Sequence, residues 1–266
     1  MNKKIYIYAN TTETSKTIEK VLRNKLVKSG LRVHEEYDDD TELIICIGGD
    51  GTLLNMMQVM DFPSTPVAGI NTGHLGFFQE VLPEKIDDFI YQFNQGEISV
   101  QSFSTATACI ETCHGTFYHR ALNEVVIKGL PTYPVHLNIS INNSFVERFS
   151  GDGICVATPA GSTAYNYSLG GSIVDPRLDI LQITPIAPMR SVAYRSFTSG
   201  ILLPPDDKVN IEPCSDVDKK LSIIFDGKCA NYDDVENVSI GLSSRKINLV
   251  RFADSDFWDK VKCKFL

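Results

Sequence analysis

The sequence predicts an α/β N-terminal domain with a parallel sheet, followed by a larger all-β C-terminal domain. Three observations predict this class. From residue 3 to about 100, strand-like apolar runs alternate with helix-period stretches, the order that builds a parallel sheet with crossover helices. From about Val100 the pattern changes to short β-rich runs separated by turn residues, as in an all-β domain. Glycine-rich turns stand at strand ends, where open parallel sheets place their ligands. No Pro- or Ser-rich linker separates the halves. The expected division is 1–100, 101–250 and a C-terminal segment, 251–266, that docks back on the first domain and carries the single tryptophan.

The elements follow in order. "KIYIYAN" is a strand by its alternation, and after "TTETS" the residues Ile18, Val21, Leu22 and Leu26 form a helical stripe that stops at Gly30. Leu43 to Ile47 is a buried strand, "LLNMMQVM" a helix, "PVAGIN" (66–71) a third strand, and a helix is expected from about Glu84 to Phe93. The β-rich half contains runs such as "EVVIKG", "VHLNISINN", "GICVATP", "KLSIIFDG" and "KINLVRF". Asp226-Gly227 within it reads as a hairpin turn.

Composition narrows the function. The chain has 266 residues, 43% hydrophobic and 22% charged, with a formal net charge of −8. That balance is ordinary for a globular protein and disfavours a nucleic-acid binder, which presents a basic face. No apolar run approaches the roughly 20 residues of a membrane span, and the N-terminus lacks a signal-peptide pattern. Seven cysteines without a C-x-x-C pair read as reduced thiols, so the expected location is cytoplasmic. Cys109, Cys113, His114 and His119 invite a zinc reading. As one continuous strand, however, this segment would hold the two cysteines about 13 Å apart, and no zinc site is expected.

Chemistry concentrates in three segments. "IGGDGT" (47–52) is a strand-to-helix turn of the kind that binds phosphate through bare N–H groups and the positive helix end. It lacks the Lys-Ser/Thr of a P-loop and fails G-x-G-x-x-G. Asp50 in its centre would repel phosphate unless a magnesium ion offsets the charge or the carboxylate faces a hydroxyl that attacks the phosphoryl group; the plainer alternative is that Asp50 caps the helix. "SGDGICVATPAGSTAYNYS" (150–168) opens with Asp152 and gathers Ser162, Thr163, Tyr165, Asn166 and Ser168. Their hydroxyls, amide and rings can bond and stack a base, or form a capped surface loop. "ALNEVVI" sets Asn123 and Glu124 before an apolar strand, a weak signal by itself.

Together, "GGDGT", "NTGHLGF" (71–77), "NEV" (123–125), "GDG" (151–153) and "TPAGSTAY" (158–165) resemble, in order and spacing, the NAD kinase family of the bacterial type that uses ATP or polyphosphate. The resemblance runs from about 43 to 190, with weaker likeness out to "FDG" (225–227). It implies a Rossmann-like first domain and transfer of a phosphoryl group from ATP to the 2′-hydroxyl of the adenosine ribose of NAD, with Mg2+ or another divalent metal. By the same resemblance Asp50 matches the catalytic aspartate and Gly51 lies beside the ribose. Asn123 and Glu124 match the pair that holds the dinucleotide, and Phe77 an aromatic near its adenosine. Thr163, Ala164, Tyr165, Asn166 and Ser168 match the loop around its bases, and Ala187 a further contact. Asp152 matches an acidic residue that reaches the nucleotide from a neighbouring subunit, in a family of homo-oligomers that are commonly tetramers. Met189 stands where many members carry histidine, and Ala160 where some have a polar residue. Another GGDGT-type kinase with a lipid acceptor, and a non-catalytic NAD(P)-binding sensor, are the alternatives.

Overall fold

The structure is a computed structural model, and it describes residues 3–73, 76–130, 133–190, 195–252 and 256–265. The chain divides into two compact units, one made of Met1–Ser102 and Lys246–Leu266, the other of Phe103–Arg245. The second segment of the first unit contains the C-terminal residues.

In the first unit, β1 (Lys4–Ala9), β2 (Arg32–His34), β3 (Leu43–Gly48) and β4 (Val67–Asn71) form a parallel sheet in the order β2-β1-β3-β4. β3 and β4 are buried along their whole length, as strands covered on both faces must be. Helix α1 (Glu13–Lys28) starts at Thr12, whose side chain accepts the Ser15 N–H, and ends in the basic residues Lys25 and Lys28, which favour its negative end. Leu22 and Leu26 are fully buried and Ile18 packs beside them, but Val21 is 44% exposed. The apolar face is therefore narrower than the sequence stripe, because position 21 has rotated past the sheet.

Helix α2 (Asp50–Val59) follows β3 directly. After β4, Pro83–Lys85 form a tight turn and α3 (Ile86–Gln95) buries Ile86, Phe89, Ile90 and Phe93 before stopping at Gly96 in the left-handed region. The expected start near Glu84 thus falls in the turn that precedes the helix.

Most of the remaining strands lie in the second unit. β5 (Ser99–Thr112) and β6 (Gly115–Ala121) form a hairpin, so the segment expected as one strand reverses at Cys113-His114. β7 (Glu124–Lys128), β8 (Val135–Ile141), β9 (Ser144–Gly151), β10 (Gly153–Ala157), β11 (Leu181–Ile186) and β12 (Ile201–Leu203) come next. They are followed by β13 (Lys208–Pro213), β14 (Leu221–Phe225), β15 (Lys228–Tyr232) and β16 (Val235–Arg251). An antiparallel six-stranded sheet runs β12-β11-β10-β7-β14-β15. Its Val125, Ile127, Ile154, Val156, Ile183 and Ile223 share one core with Leu137 and Ile139 of β8, Val209 and Ile211 of β13, and Val238 and Ile240 of β16.

In the first unit again, Leu249 near the end of β16 pairs in parallel with Val67 of β4, and the last element is α5 (Phe257–Phe265). The short α4 (Tyr165–Ser168) belongs to the second unit.

Leu22→Ala is expected to lower stability by about 2–5 kcal/mol through the cavity it leaves. Val21→Ala, one position along, should stay within about 0.5 kcal/mol. The two urea unfolding midpoints check the assignment of the buried face.

Candidate active site

In the first unit the parallel register sets Gly48 beside Asn71, so the turns after β3 and β4 emerge at one sheet end. The Thr72 N–H donates to the Gly48 carbonyl at 3.1 Å and ties the two turns together. Gly49 is the N-cap of α2, without a side-chain cap, and Asp50 is the first helical residue. Its carboxylate does not cap its own helix. Oδ2 accepts the Phe77 N–H at 2.7 Å and Oδ1 the Phe78 N–H at 3.2 Å. Gly76 makes this approach feasible, since a Cβ there would sit 2.1 Å from Asp50 Oδ1.

Gln79 completes the clasp. Its amide donates to the Gly49 carbonyl at 2.8 Å and to the Cys46 sulfur at 3.5 Å. Burial pushes the Cys46 thiol up to about 12, so it stays protonated beneath the turn. Each Asp50 oxygen keeps a lone pair beyond its backbone bond, and the start of α2 favours a negative group there. Gly51, beside it, is exposed. A carboxylate fixed in this way can receive a hydroxyl, next to a helix end suited to phosphate.

Phe77 is placed differently from a free aromatic surface. Its side chain is only 8% exposed, and its ring packs against Phe257 at 5.9 Å and Phe265 at 6.0 Å, with Lys264 Nζ 4.8 Å from its centroid. The main chain of Phe77 faces Asp50, while its ring anchors α5. His74, in the "NTGHLGF" segment, lies outside the described residues.

In the second unit, Asn123 and Glu124 enter β7 from a turn held by Asp226. The Asp226-Gly227 pair forms a two-residue hairpin turn between Phe225 and Lys228, with positive φ at both positions. The Asp226 carboxylate then accepts N–H groups from Leu122 at 2.8 Å, Asn123 at 2.7 Å and Glu124 at 3.3 Å. Asp226 forms the expected turn, and its main contact is with the Asn-Glu backbone. Only its turn signal was local.

On the other side, Thr158 donates to the Leu122 carbonyl at 2.5 Å. Gly161 lies so close that a Cβ there would meet the Asn123 carbonyl oxygen at 2.1 Å. The "PAGST" turn therefore packs directly on "NE". Asn123 and Glu124 are 6% and 7% exposed, yet Asn123 Oδ1 and Glu124 Oε2 have no hydrogen-bond partner among the described residues. Burial, then the Asp226 charge, raise Glu124 to about 8.

The remaining predicted residues separate into two places. Thr163 and Ala164 are half-buried in the same turn, and Tyr165 is exposed with Lys128 Nζ 5.6 Å from its ring centroid. Ser168 donates back to the Tyr165 carbonyl at 2.7 Å. Asn166 is fully buried: its amide donates to Gln182 Oε1 at 2.5 Å and its oxygen accepts from Thr184 at 2.6 Å. It holds the turn from beneath instead of facing outward.

Asp152 and Ala187 sit elsewhere. β10 pairs Ala157 with Glu124 at one end and Gly153 with Lys128 at the other. Asp152 and Ala187 are exposed beyond the Gly153–Ile186 end. Four residues of strand, about 13 Å, separate them from the Asn-Glu end within one chain.

The cysteine cluster is not gathered as the zinc reading required. Cys109 faces Tyr118 across the hairpin. Among the described residues, three potential metal ligands come together only in Cys113, His114 and Asp234, all exposed at the hairpin tip.

An α/β unit with a carboxylate fixed at a phosphate-type turn, in one chain with a β-rich unit bearing buried polar oxygens without partners among the described residues, is suited to a nucleotide-dependent phosphotransferase. Comparison with known proteins narrows the class. Residues 3–98 match the family model of the ATP-NAD kinase N-terminal domain, and 122–252 that of the C-terminal domain. The NAD kinase of Finegoldia magna is 38% identical over 270 residues, covering 100% of this chain and 98% of that protein. NAD kinase 1 of Listeria monocytogenes is 33% identical over 260 residues, covering 95% and 97%. The chain belongs to the NAD kinase family. Solved structures with the same fold include a yeast NADH kinase complexed with NADH, with a TM-score of 0.86 at 20% identity over 98% of this chain and 86% of that one. An NAD kinase from Archaeoglobus fulgidus in complex with ATP gives a TM-score of 0.76 at 23% identity, over 97% and 98%.

Glu124 yields a prediction about pH. Its folded pKa is above that of an unfolded glutamate, so the folded state holds the proton longer and stability falls as pH rises from about 4.5 to about 8. Glu124→Gln should flatten this part of the stability–pH curve, measured by thermal unfolding at closely spaced pH values.

Proposed function

We propose that this protein transfers the γ-phosphoryl group of ATP to the 2′-hydroxyl of the adenosine ribose of NAD, making NADP. The observation that carries the reading is Asp50, held by two backbone N–H groups with lone pairs to spare at the start of a helix. In phosphoryl transfer the protein mostly positions donor and acceptor and stabilises charge. Asp50 accepts the 2′-hydroxyl proton's hydrogen bond and aims its oxygen along the line of attack, and Gly51 leaves room for the ribose beside it.

The acceptor's remaining contacts fall to the second unit. Asn123 Oδ1 and Glu124 Oε2 are buried without partners among the described residues, and an unpartnered buried polar atom is a cost of about 1–3 kcal/mol that a ligand's donors would remove. With Glu124 raised to about 8, it is largely protonated near neutrality and can donate as well as accept. The ribose hydroxyls and adenine amine of NAD suit this pair. Thr163, Ala164, Tyr165 and Ser168 line the turn around the bases, and Asn166 supports it. Phe77 contributes only the small exposed part of its side chain toward adenosine.

Asp152 and Ala187 join the site from a neighbouring subunit in this reading, because β10 separates them from Glu124 within the chain. In this reading the sites are built from two chains of a homo-oligomer, a tetramer by the family resemblance. A divalent metal is tested by the donor set. The Asp50 turn offers one carboxylate already engaged by backbone, and Glu80 in the same unit is engaged by Arg251 and Lys260. The described residues near the turn thus form no cage of their own. Magnesium enters as the ATP complex, held by phosphates and water. Cytoplasmic function fits seven free thiols; among the described residues no helix is long and apolar enough to cross a membrane.

The lipid-acceptor and sensor readings are not favoured, since both family domains match and the relatives over the full length are NAD kinases. Purified protein with magnesium, ATP and NAD should produce NADP, detected by an NADP-specific dehydrogenase; inorganic polyphosphate in place of ATP defines the donor range. Asp50→Asn should bind NAD as before and lose about 10²–10⁴ in turnover. Parent-like turnover of that variant would remove Asp50 from the mechanism.

A further inference from the structure

The Asp50 clasp is itself anchored by the C-terminal residues of the same unit. Glu80 is 6% exposed and forms ion pairs with Arg251 and with Lys260, the latter at 2.5 Å. Lys260 Nζ also donates to the Phe77 carbonyl at 3.1 Å. The Arg251 guanidinium lies against the same carbonyl at 3.4 Å and takes the Gln101 side chain at 3.0 Å. The Phe77–Phe78 peptide, whose N–H holds Asp50 Oδ1, therefore has its carbonyl held by two cations.

Charge fits this geometry. Arg251 and Lys260 are 12% and 11% exposed and each feels the Asp50 charge as well as that of Glu80. Two cations and two carboxylates balance in a nearly buried cluster, where an unbalanced charge would be costly. Burial, then the neighbouring Arg251 charge, lower the Lys260 ammonium from its ordinary range. The stacking of Phe77 on Phe257 and Phe265 fixes α5 against the segment that Lys260 reaches.

We propose that Lys260, on the C-terminal helix α5, is a positioning residue for phosphoryl transfer: through the Phe77 carbonyl it sets the plane of the Phe77–Phe78 peptide, and so the Phe78 N–H that aims Asp50 Oδ1. The proposal rests on the reading of Asp50 given above. A carboxylate displaced by about 1 Å would meet the acceptor hydroxyl off line, a misplacement that costs up to about 100-fold in rate.

Simple removal of Lys260 leaves two carboxylates against the single Arg251 cation and destabilises the unit, so the test removes both charges. Glu80→Gln with Lys260→Met should keep the thermal midpoint near that of the parent and lower kcat about 10-fold or more, with KM for ATP and NAD within about twofold. Glu80→Gln with Lys260→Gln keeps an N–H donor for the Phe77 carbonyl and should recover at least half of the lost kcat. Lys262→Ala, exposed on the same helix, should match the parent.

Equal kcat in the two double variants, or a rise in KM with kcat unchanged, overturns the proposal. Asp50→Asn measured alongside separates the two claims. If it is inactive while the Gln/Met variant matches the parent, only the role of Lys260 falls. If Asp50→Asn is itself active, the underlying reading falls first.

Discussion

The Asp50 carboxylate is held rigidly without being neutralised, and much of the first unit around it serves that constraint. Neutral backbone donors meet it better than a cation would: the N–H groups of Phe77 and Phe78 fix both Asp50 oxygens and leave the negative charge in place. The parallel pairing of β3 with β4 brings the two turns to one sheet end. Gly76 removes the side chain that would otherwise occupy the position of the carboxylate. Gln79 secures Gly49 from below. Arg251 and Lys260 are used one layer back, on Glu80 and the Phe77 carbonyl.

The second unit repeats the device with another acid. Asp226 gathers three successive N–H groups at the entrance to β7, and its own positive φ is set by the hairpin turn that carries it. This orders Asn123 and Glu124 while leaving their outer oxygens unmatched. A chain optimised for stability alone would pair or remove such atoms. Their retention at an element end next to a glycine-dependent packing contact is the kind of local inconsistency that marks functional sites. Asp50 and Asp226 are thus acidic residues in different settings: one is fixed by backbone donors, and the other fixes the backbone of its neighbours.

Much of the fold was legible because its signals are local. The apolar run at 43–47, the alternation in the first strand, the glycine punctuation and the short β-rich runs each report a period or a turn within a few residues. The same locality explains the misses. Cys109 to His119 alternates like one strand, yet it reverses at Cys113-His114 because the hairpin pairing, not the alternation, decides where a strand ends. Val21 belongs to the helical stripe by spacing, but only the position of the sheet settles which edge of the stripe is covered.

The sequence alone determined the order of the elements, the phosphate-type turn at Asp50, and the polar segments around Asn123 and Thr163, since these depend on residue type and short-range geometry. Tertiary structure decided what those residues face. Asp50 meets donors 27 and 28 positions away, Asp226 meets "NE" more than a hundred positions back, and Asn166 turns inward to Gln182 and Thr184. Lys260, unremarkable in a short amphipathic tail, becomes part of a buried ion cluster. The reason is physical: hydrogen-bond and charge partners are selected by strand register and by burial, and both are properties of the assembled chain, not of any segment within it.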